Sequence, residues 1–236
     1  MSLTECFATA DRALARGQPE VALPSLLDAW RLHPAARLAA LVEKVSAQVE
    51  LGRGRIEGKS IKARWASAVA LARRRDPADL PRIWSTLPEQ PVASAMVLVE
   101  AMDEASRDPR ALAGVLTLLR NPPWTSATSH KVWRRLLTLT ARQRDPRAAA
   151  ALRALDFRAT IRNDWAAGAM KELVERALPR IETPEPVTNP RIEEKCEVLE
   201  ARLAPTQTDG ANVLAQVLDQ PGDDGLRSVW ADWLQE

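Results

Sequence analysis

The sequence predicts an all-α protein in which antiparallel helical hairpins stack in order along the chain. Three observations predict this fold. Apolar residues recur at intervals of three and four, which places them on one face of a helix. The same tripeptide, Arg-Asp-Pro, opens successive stretches at 75–77, 107–109 and 144–146. Alternation with a period of two is absent and the chain has no tyrosine, so no stretch indicates a β-strand.

The clearest repeating unit runs from Arg107 to Gln143. One helical stretch follows Asp108-Pro109, a break follows at 121–123, and a second helical stretch leads to the next Arg-Asp-Pro. An N-cap aspartate accepts a hydrogen bond from a backbone N–H that lacks a partner within the helix. Proline suits the first helical position, because its backbone nitrogen has no N–H and its φ angle is already helical. The three starts lie 32 and 37 residues apart, periods that are typical of stacked helical hairpins. The arrangement resembles HEAT- and TPR-type α-solenoids. The alternative to a true repeat is that Asp-Pro is merely a common start of helices and that its spacing here is due to chance.

Every helical element is predicted from its own apolar stripe. In chain order, the stripes predict helices over 3–16, 19–30, 34–49, 60–75, 77–87 and 92–105, followed by the units that open at 107 and 144. Gly17 is expected to end the first helix and Ser60 to cap the fourth. Five tryptophans fall within the stripes, where we expect them to anchor the core between hairpins: Trp30, Trp65, Trp84, Trp133 and Trp165.

A proline-rich linker at 182–190 is predicted to divide the chain. It separates a helical-repeat domain over residues 1–181 from a small helical C-terminal module over 191–236. The net charge of the chain is +2, yet residues 182–236 hold 12 acidic and 4 basic residues, which leaves +10 on residues 1–181. Either the acidic end docks on the basic body, or the body offers a basic surface to an acidic partner.

The composition is that of a globular protein. The chain has 236 residues, of which 46% are hydrophobic and 27% are charged, enough to bury a core. No apolar run reaches the roughly 20 residues of a membrane-spanning helix, and the N-terminus has no signal-peptide pattern. Cys6 and Cys196 form neither a disulfide framework nor a metal-binding pattern. We therefore expect a cytoplasmic protein without membrane contact, and the preference for Ala and Arg over Ile and Lys indicates a GC-rich bacterial source.

One glycine-rich loop, over residues 51–60, invites comparison with a phosphate-binding loop because it ends in Gly58-Lys59-Ser60. That motif needs a glycine five residues before the Gly-Lys-Ser and a strand before the loop. Here Arg53 occupies the glycine position and a helix precedes the loop. We therefore expect a loop between helices and no nucleotide cofactor.

No local motif indicates catalysis or metal binding. His33 and His130 are the only histidines, and neither has a metal-ligating companion nearby in sequence. A Ser-His-Asp site is not excluded by spacing, since its residues meet only in the fold. We predict a protein that is not an enzyme, with no catalytic residues, no metal ligands and no cofactor.

The last two dozen residues carry a distinctive motif. It consists of a proline, an acidic pair, an arginine and an aromatic cluster: Pro221, Asp223, Asp224, Arg227, Val229, Trp230, Ala231, Asp232, Trp233 and Leu234. This motif resembles the repeat-companion domain of myxobacterial and planctomycete paralogous families, from which it departs at Gly222, Leu226 and Trp230. The family has no established activity. Its members often carry other repeats, so the resemblance implies a role in interactions. The apolar face of this stretch is expected to pack on its neighbours or to receive a partner.

Together these observations predict a non-enzymatic protein–protein interaction module: a scaffold, an adaptor or a neutralising partner built on the helical array. The alternative is a nucleic-acid-binding helical-repeat protein that uses the basic N-terminal domain, a class that extends to DNA glycosylase-like enzymes. An enzyme with a pocket between hairpins is a third class. The candidate partner surface comprises Arg53, Arg55, Lys59, Arg73, Arg74, Arg134, Arg135, Trp124, Trp230, Asp232 and Trp233. Arg73 and Arg74 have a second explanation, since cations stabilise the C-terminus of a helix.

Overall fold

A computed structural model describes residues 1–51, 56–103, 107–182 and 189–203. These residues form α-helices and three short 3₁₀ turns, and they contain no β-strand. The α-helices are α1 (Leu3–Leu14), α2 (Pro19–Leu32), α3 (Ala36–Leu51), α4 (Ile61–Arg74), α5 (Leu80–Thr86), α6 (Val92–Asp103), α7 (Arg110–Arg120), α8 (His130–Gln143), α9 (Ala148–Arg153), α10 (Phe157–Thr160), α11 (Asp164–Ile181) and α12 (Pro190–Leu203). The predicted all-α fold class is confirmed.

Local capping explains why several helices begin and end where they do. Ser2 and Glu5 form a capping box at the start of α1, in which the Ser2 hydroxyl accepts from the Glu5 N–H at 3.3 Å. Gly17, with φ +66°, takes the left-handed conformation just after α1, as the sequence predicts. The Ser60 hydroxyl accepts from the Ala63 N–H at 3.1 Å and caps α4, which confirms that prediction.

Two hydrophobic clusters organise the described residues. The first joins α1, α2, α3 and α12 in a closed ring of contacts, so that each helix packs on two others. Its centre contains Trp30, Leu26 and Leu41, all fully buried. Each Å² of apolar surface removed from water contributes about 25 cal/mol to the free energy of folding. Such side chains are therefore the main source of stability for this group of helices.

The second cluster covers α4 to α11, and its helices lie in two rows. In one row, α4 contacts α6, α6 contacts α8, and α8 contacts α11. In the other row, α5 contacts α7 and α7 contacts α9. The rows meet where α4 packs on α5, α7 on α8 and α9 on α11. Fully buried Trp133 and Leu136 of α8 lie in this core.

The three Arg-Asp-Pro junctions share one local geometry. The side chains of Asp76, Asp108 and Asp145 each accept the N–H two residues later, at 2.9, 3.0 and 2.9 Å. Their carbonyls accept the N–H three residues later, so each junction begins as a 3₁₀-type turn. At two of the junctions, the first residue adopts the left-handed conformation and ends the preceding helix: Arg75 after α4 and Arg144 after α8. The repeated tripeptide is therefore a repeated structural corner.

Helix α12 returns to the N-terminal group of helices. Ile192, Cys196 and Leu199 are buried in the cluster with α1 and α3. Most of the proline-rich linker at 182–190 lies outside the described residues, as does 204–236, and the boundary between residues 1–181 and 191–236 stays a prediction. Helix α12 docks on α1 and α3, but it holds only 4 of the 12 acidic residues of 182–236 and has a net charge of −1, so docking of the acidic end on the basic body stays a prediction.

Candidate functional site

The two hydrophobic clusters are joined by a buried arginine at the Arg107-Asp108-Pro109 corner. Arg110 is 5% exposed and donates to both carboxylate oxygens of Asp108, at 2.9 and 2.5 Å. The same guanidinium donates to the Ser46 hydroxyl of α3 at 2.7 Å and to the Pro77 carbonyl at 2.7 Å. Each of its three nitrogens is therefore used, and the arginine fastens the start of α7 to α3 and to the preceding corner.

The next corner repeats this arrangement. Arg147 donates to both oxygens of Asp145 and to Glu43 of α3 at 2.8 Å. Burial disfavours the charged guanidinium, but the hydrogen bonds to Asp145 and Glu43 outweigh it and raise the pKa of Arg147. Two successive Arg-Asp-Pro-Arg corners thus hold one side of α3. The second arginine of each motif, Arg110 or Arg147, therefore has a structural role.

An open groove of about 470 Å³ lies beside these corners, between α5 and α7. Its walls are mostly apolar or small: Pro81, Trp84, Ser85 and Pro88 on the α5 side, and Ala113, Gly114, Thr117 and Leu118 on α7. One end is polar, where Glu43, Ser46 and Arg110 close it. A concave, largely apolar cleft with a few polar groups at one end is the usual form of a binding site.

Trp84 forms part of the wall of this groove and lies against Gly114. A Cβ atom built on Gly114 would meet the indole at 2.3 Å, so only glycine allows α5 and α7 to approach this closely. The Trp84 ring is 8% exposed, and its Nε1–H has no hydrogen-bond partner among the described residues. A buried N–H donor without an acceptor is uncommon and requires an explanation.

A second groove, of about 510 Å³, lies between α8 and α11. The side chains that line it are His130, Arg134, Leu137, Thr138, Ala141, Leu173, Arg176, Ala177 and Arg180. Trp165, at the start of α11, stacks on His130 with ring centroids 6.1 Å apart and an angle of 19° between the rings. Trp165 is 59% exposed, so the prediction that it anchors the core is wrong.

The predicted surface residues fall in three places. Lys59, Arg73 and Arg74 are exposed at the two ends of α4, Arg134 is exposed on α8, and Arg135 beside it is half-buried. Helix α6 lies between α4 and α8, so these residues do not form one continuous cluster. Arg53, Arg55, Trp230, Asp232 and Trp233 lie outside the described residues.

Trp124 belongs to the core rather than to a partner surface. It is 7% exposed, its Nε1 donates to the Gln90 carbonyl at 2.8 Å, and its ring lies 5.6 Å from that of Trp133. The Trp124 carbonyl in turn accepts from Trp133 Nε1 at 3.0 Å. This network ties the proline-rich break after α7 to α8 and to the segment between α5 and α6, which corrects the expectation of an exposed ring.

Charge complementarity holds α12 on α3 and α1. Arg37 and Lys44 of α3 donate to the two oxygens of Glu200 at 2.9 Å each, and Arg202 pairs with Asp11 of α1. The hydrogen bond from Lys44, supported by Arg37 and opposed by partial burial, lowers the pKa of Glu200. Part of the negative charge near the C-terminus is therefore used within the molecule.

Within the described ranges, no group of three or more His, Cys, Asp or Glu residues is arranged to hold a metal ion. Cys6 and Cys196 are both fully buried, and burial raises the pKa of the Cys196 thiol to about 12. A thiol with so high a pKa is a poor nucleophile at neutral pH. The same ranges contain no helix with the length and apolarity needed to span a membrane.

Compared with known proteins, the chain matches no family model, no curated protein and no solved structure. The likeness of residues 221–234 to the repeat-companion domain therefore stays a prediction. The two grooves were not among the features that the sequence singled out. A glycine within an amphipathic helix and the pair Arg176 and Arg180, one turn apart on α11, were the available signals.

Proposed function

We propose that this protein is a non-enzymatic interaction module, a scaffold or adaptor, and that it binds a segment of a partner protein in the groove between α5 and α7. The observation that carries the proposal is an open, concave groove of about 470 Å³ whose lining is mostly apolar or small. The apolar side chains of a bound peptide would cover Pro81, Pro88 and Ala113, which line the groove and keep accessible surface. Such a contact removes exposed apolar surface from water, which is the main favourable term in most protein association.

An α-solenoid interpretation of the fold is part of this proposal. It is supported by the shared corner at Asp76, Asp108 and Asp145 and by the two rows of helices that follow one another in chain order. Stacked hairpins present grooves between successive units, and this is how helical-repeat proteins receive extended partners.

The test is affinity capture from lysate of the native host with three baits: the wild-type chain, Ala113→Glu and Ala70→Glu. Ala113 is exposed and lines the groove, whereas Ala70 is exposed on α4 and lies away from it. Both substitutions add the same charge to an exposed helix position, so Ala70→Glu controls for charge and helix stability. We expect a protein that both wild-type and Ala70→Glu retain after nuclease treatment and that Ala113→Glu loses. Equal retention by all three baits would contradict the proposed groove.

A further inference from the structure

The groove between α8 and α11 has a different chemistry from the groove between α5 and α7, and the two share no residue. Every charged side chain that lines it is an arginine: Arg134 on one wall, and Arg176 and Arg180 one turn apart on the other. Leu137, Ala141, Leu173 and Ala177 form its apolar floor. The surrounding residues 127–182 contain 12 basic and 6 acidic side chains, so the local field favours an anion.

Carboxylates of the same chain neutralise little of the positive charge of the arginines in this groove. Among the described residues, Arg134 and Arg180 make no ion pair with a carboxylate, and Arg134 bonds only to the carbonyl of His130 at 3.4 Å. Arg176 pairs with Glu172 on its own helix, where both side chains are more than half exposed. Exposed ion pairs of this kind contribute little free energy and exchange readily with a competing anion.

An aromatic platform lies at the His130 end of the groove. Trp165 stacks on His130, which lines the groove, while 59% of the tryptophan surface stays exposed to solvent. An exposed indole at one end of a groove lined by arginines combines the two elements with which proteins bind single-stranded nucleic acids: cations along the phosphates and an aromatic ring under a base.

We propose that this groove binds single-stranded nucleic acid, with phosphates on Arg134, Arg176 and Arg180 and a base stacked on Trp165. A planar guanidinium can donate two hydrogen bonds to the oxygens of one phosphate, and a nucleic-acid base supplies the flat surface for stacking on the indole that an acidic side chain lacks. A duplex keeps its bases stacked inside and leaves the indole without a partner. Binding is weak and tolerant of sequence, because stacking and phosphate contacts do not read base edges. This activity goes beyond the protein partner proposed above.

Fluorescence anisotropy with labelled oligo(dT), on the full chain and over a salt range from about 50 to 200 mM, tests the proposal. We expect micromolar binding at low salt. The double variant Arg134→Ala/Arg180→Ala should reduce the magnitude of the slope of log Kd against log salt by about 1.4, because each phosphate contact on a single strand contributes about 0.7. Trp165→Ala should weaken binding by about 5- to 150-fold and leave that slope unchanged, because stacking releases no counterions.

The matched control is Arg73→Ala/Arg74→Ala, which removes the same charge from the exposed end of α4. This variant should keep the salt slope of wild-type, and its Kd should differ from that of wild-type by no more than about twofold. A change of that size is expected when distant charges alter only the long-range electrostatic field. All variants change exposed side chains, and circular dichroism verifies that each is folded. The proposal is overturned by absence of binding at low salt, by equal loss in the α4 control, by preference for duplex, or by equally effective competition from polyglutamate.

Discussion

The close contact between α5 and α7 gives a sharp prediction, because two helical glycines of this chain differ in the space around them. Gly114 of α7 and Gly168 of α11 both lie within helices, where alanine is favoured by about 1 kcal/mol. A Cβ at Gly168 would meet nothing within 4 Å. A Cβ at Gly114 would lie 2.3, 2.6 and 2.7 Å from three ring atoms of Trp84. Gly168→Ala should therefore stabilise the protein, whereas Gly114→Ala must displace the indole.

The expected magnitudes follow from these distances. Forcing an additional methyl group into packed surroundings costs about 1–3 kcal/mol, which offsets the helix preference and leaves Gly114→Ala about 0–2 kcal/mol less stable than wild-type. The two alanine variants should thus differ in the free energy of unfolding by about 1–3 kcal/mol. In a chain of this size, 1 kcal/mol shifts Tm by about 2–4 °C.

Urea unfolding followed by circular dichroism measures the difference, with thermal melts as a second measurement. Gly168→Ala should raise the midpoint and Gly114→Ala should lower it or leave it unchanged. Equal stabilisation by both substitutions would refute the close packing of α7 on Trp84, and with it the shape of the groove between α5 and α7.

Three further predictions follow from the buried and charged groups. Arg110→Met should cost about 3–5 kcal/mol in urea unfolding, because it leaves the Asp108 carboxylate buried without its cation; a loss under 1 kcal/mol would contradict the buried ion pair. The lowered pKa of Glu200 contributes stability that is complete above the ordinary glutamate pKa of 4.5 and is lost as the pH falls through the lower folded value. Glu200→Gln should therefore lose less stability than wild-type in melts between pH 6 and about pH 3, and parallel pH profiles would contradict the contact with Lys44. The Cys196 thiol should resist alkylation by iodoacetamide in the native protein and react in urea, and rapid native labelling would contradict its burial.

Local interactions explain the features that the sequence predicts well. Apolar stripes, the Gly17 turn, the Ser60 cap and the aspartates of the Arg-Asp-Pro corners all act within about four residues. The prediction for Trp165 is wrong because the buried face of α11 is formed by Ala166, Ala167, Met170 and Val174. Alanines next to a tryptophan give a weak apolar signal, although they allow the helices to pack closely.

The remaining features depend on residues that are far apart in sequence. Trp124 looks like a loop residue, and its burial depends on the Gln90 carbonyl, 34 positions away. Arg110 directly follows Arg107-Asp108-Pro109 in the sequence, but its contact with Ser46 joins residues that are 64 positions apart. The packing of α12 on α1 and α3 could not be read from charge, because α12 has a net charge of only −1. Pairings of this kind are set by the tertiary fold rather than by local pattern.

The most direct measurement of the proposed function is site-specific photo-crosslinking in cells of the native host. A benzophenone amino acid at Thr117, exposed on the wall of the groove between α5 and α7, is compared with the same group at Ala70 on α4. The proposal predicts a discrete adduct with another protein at Thr117 that survives nuclease treatment and is absent at Ala70. No adduct at Thr117, the same adducts at both positions, or adducts that nuclease removes would contradict a protein partner in this groove.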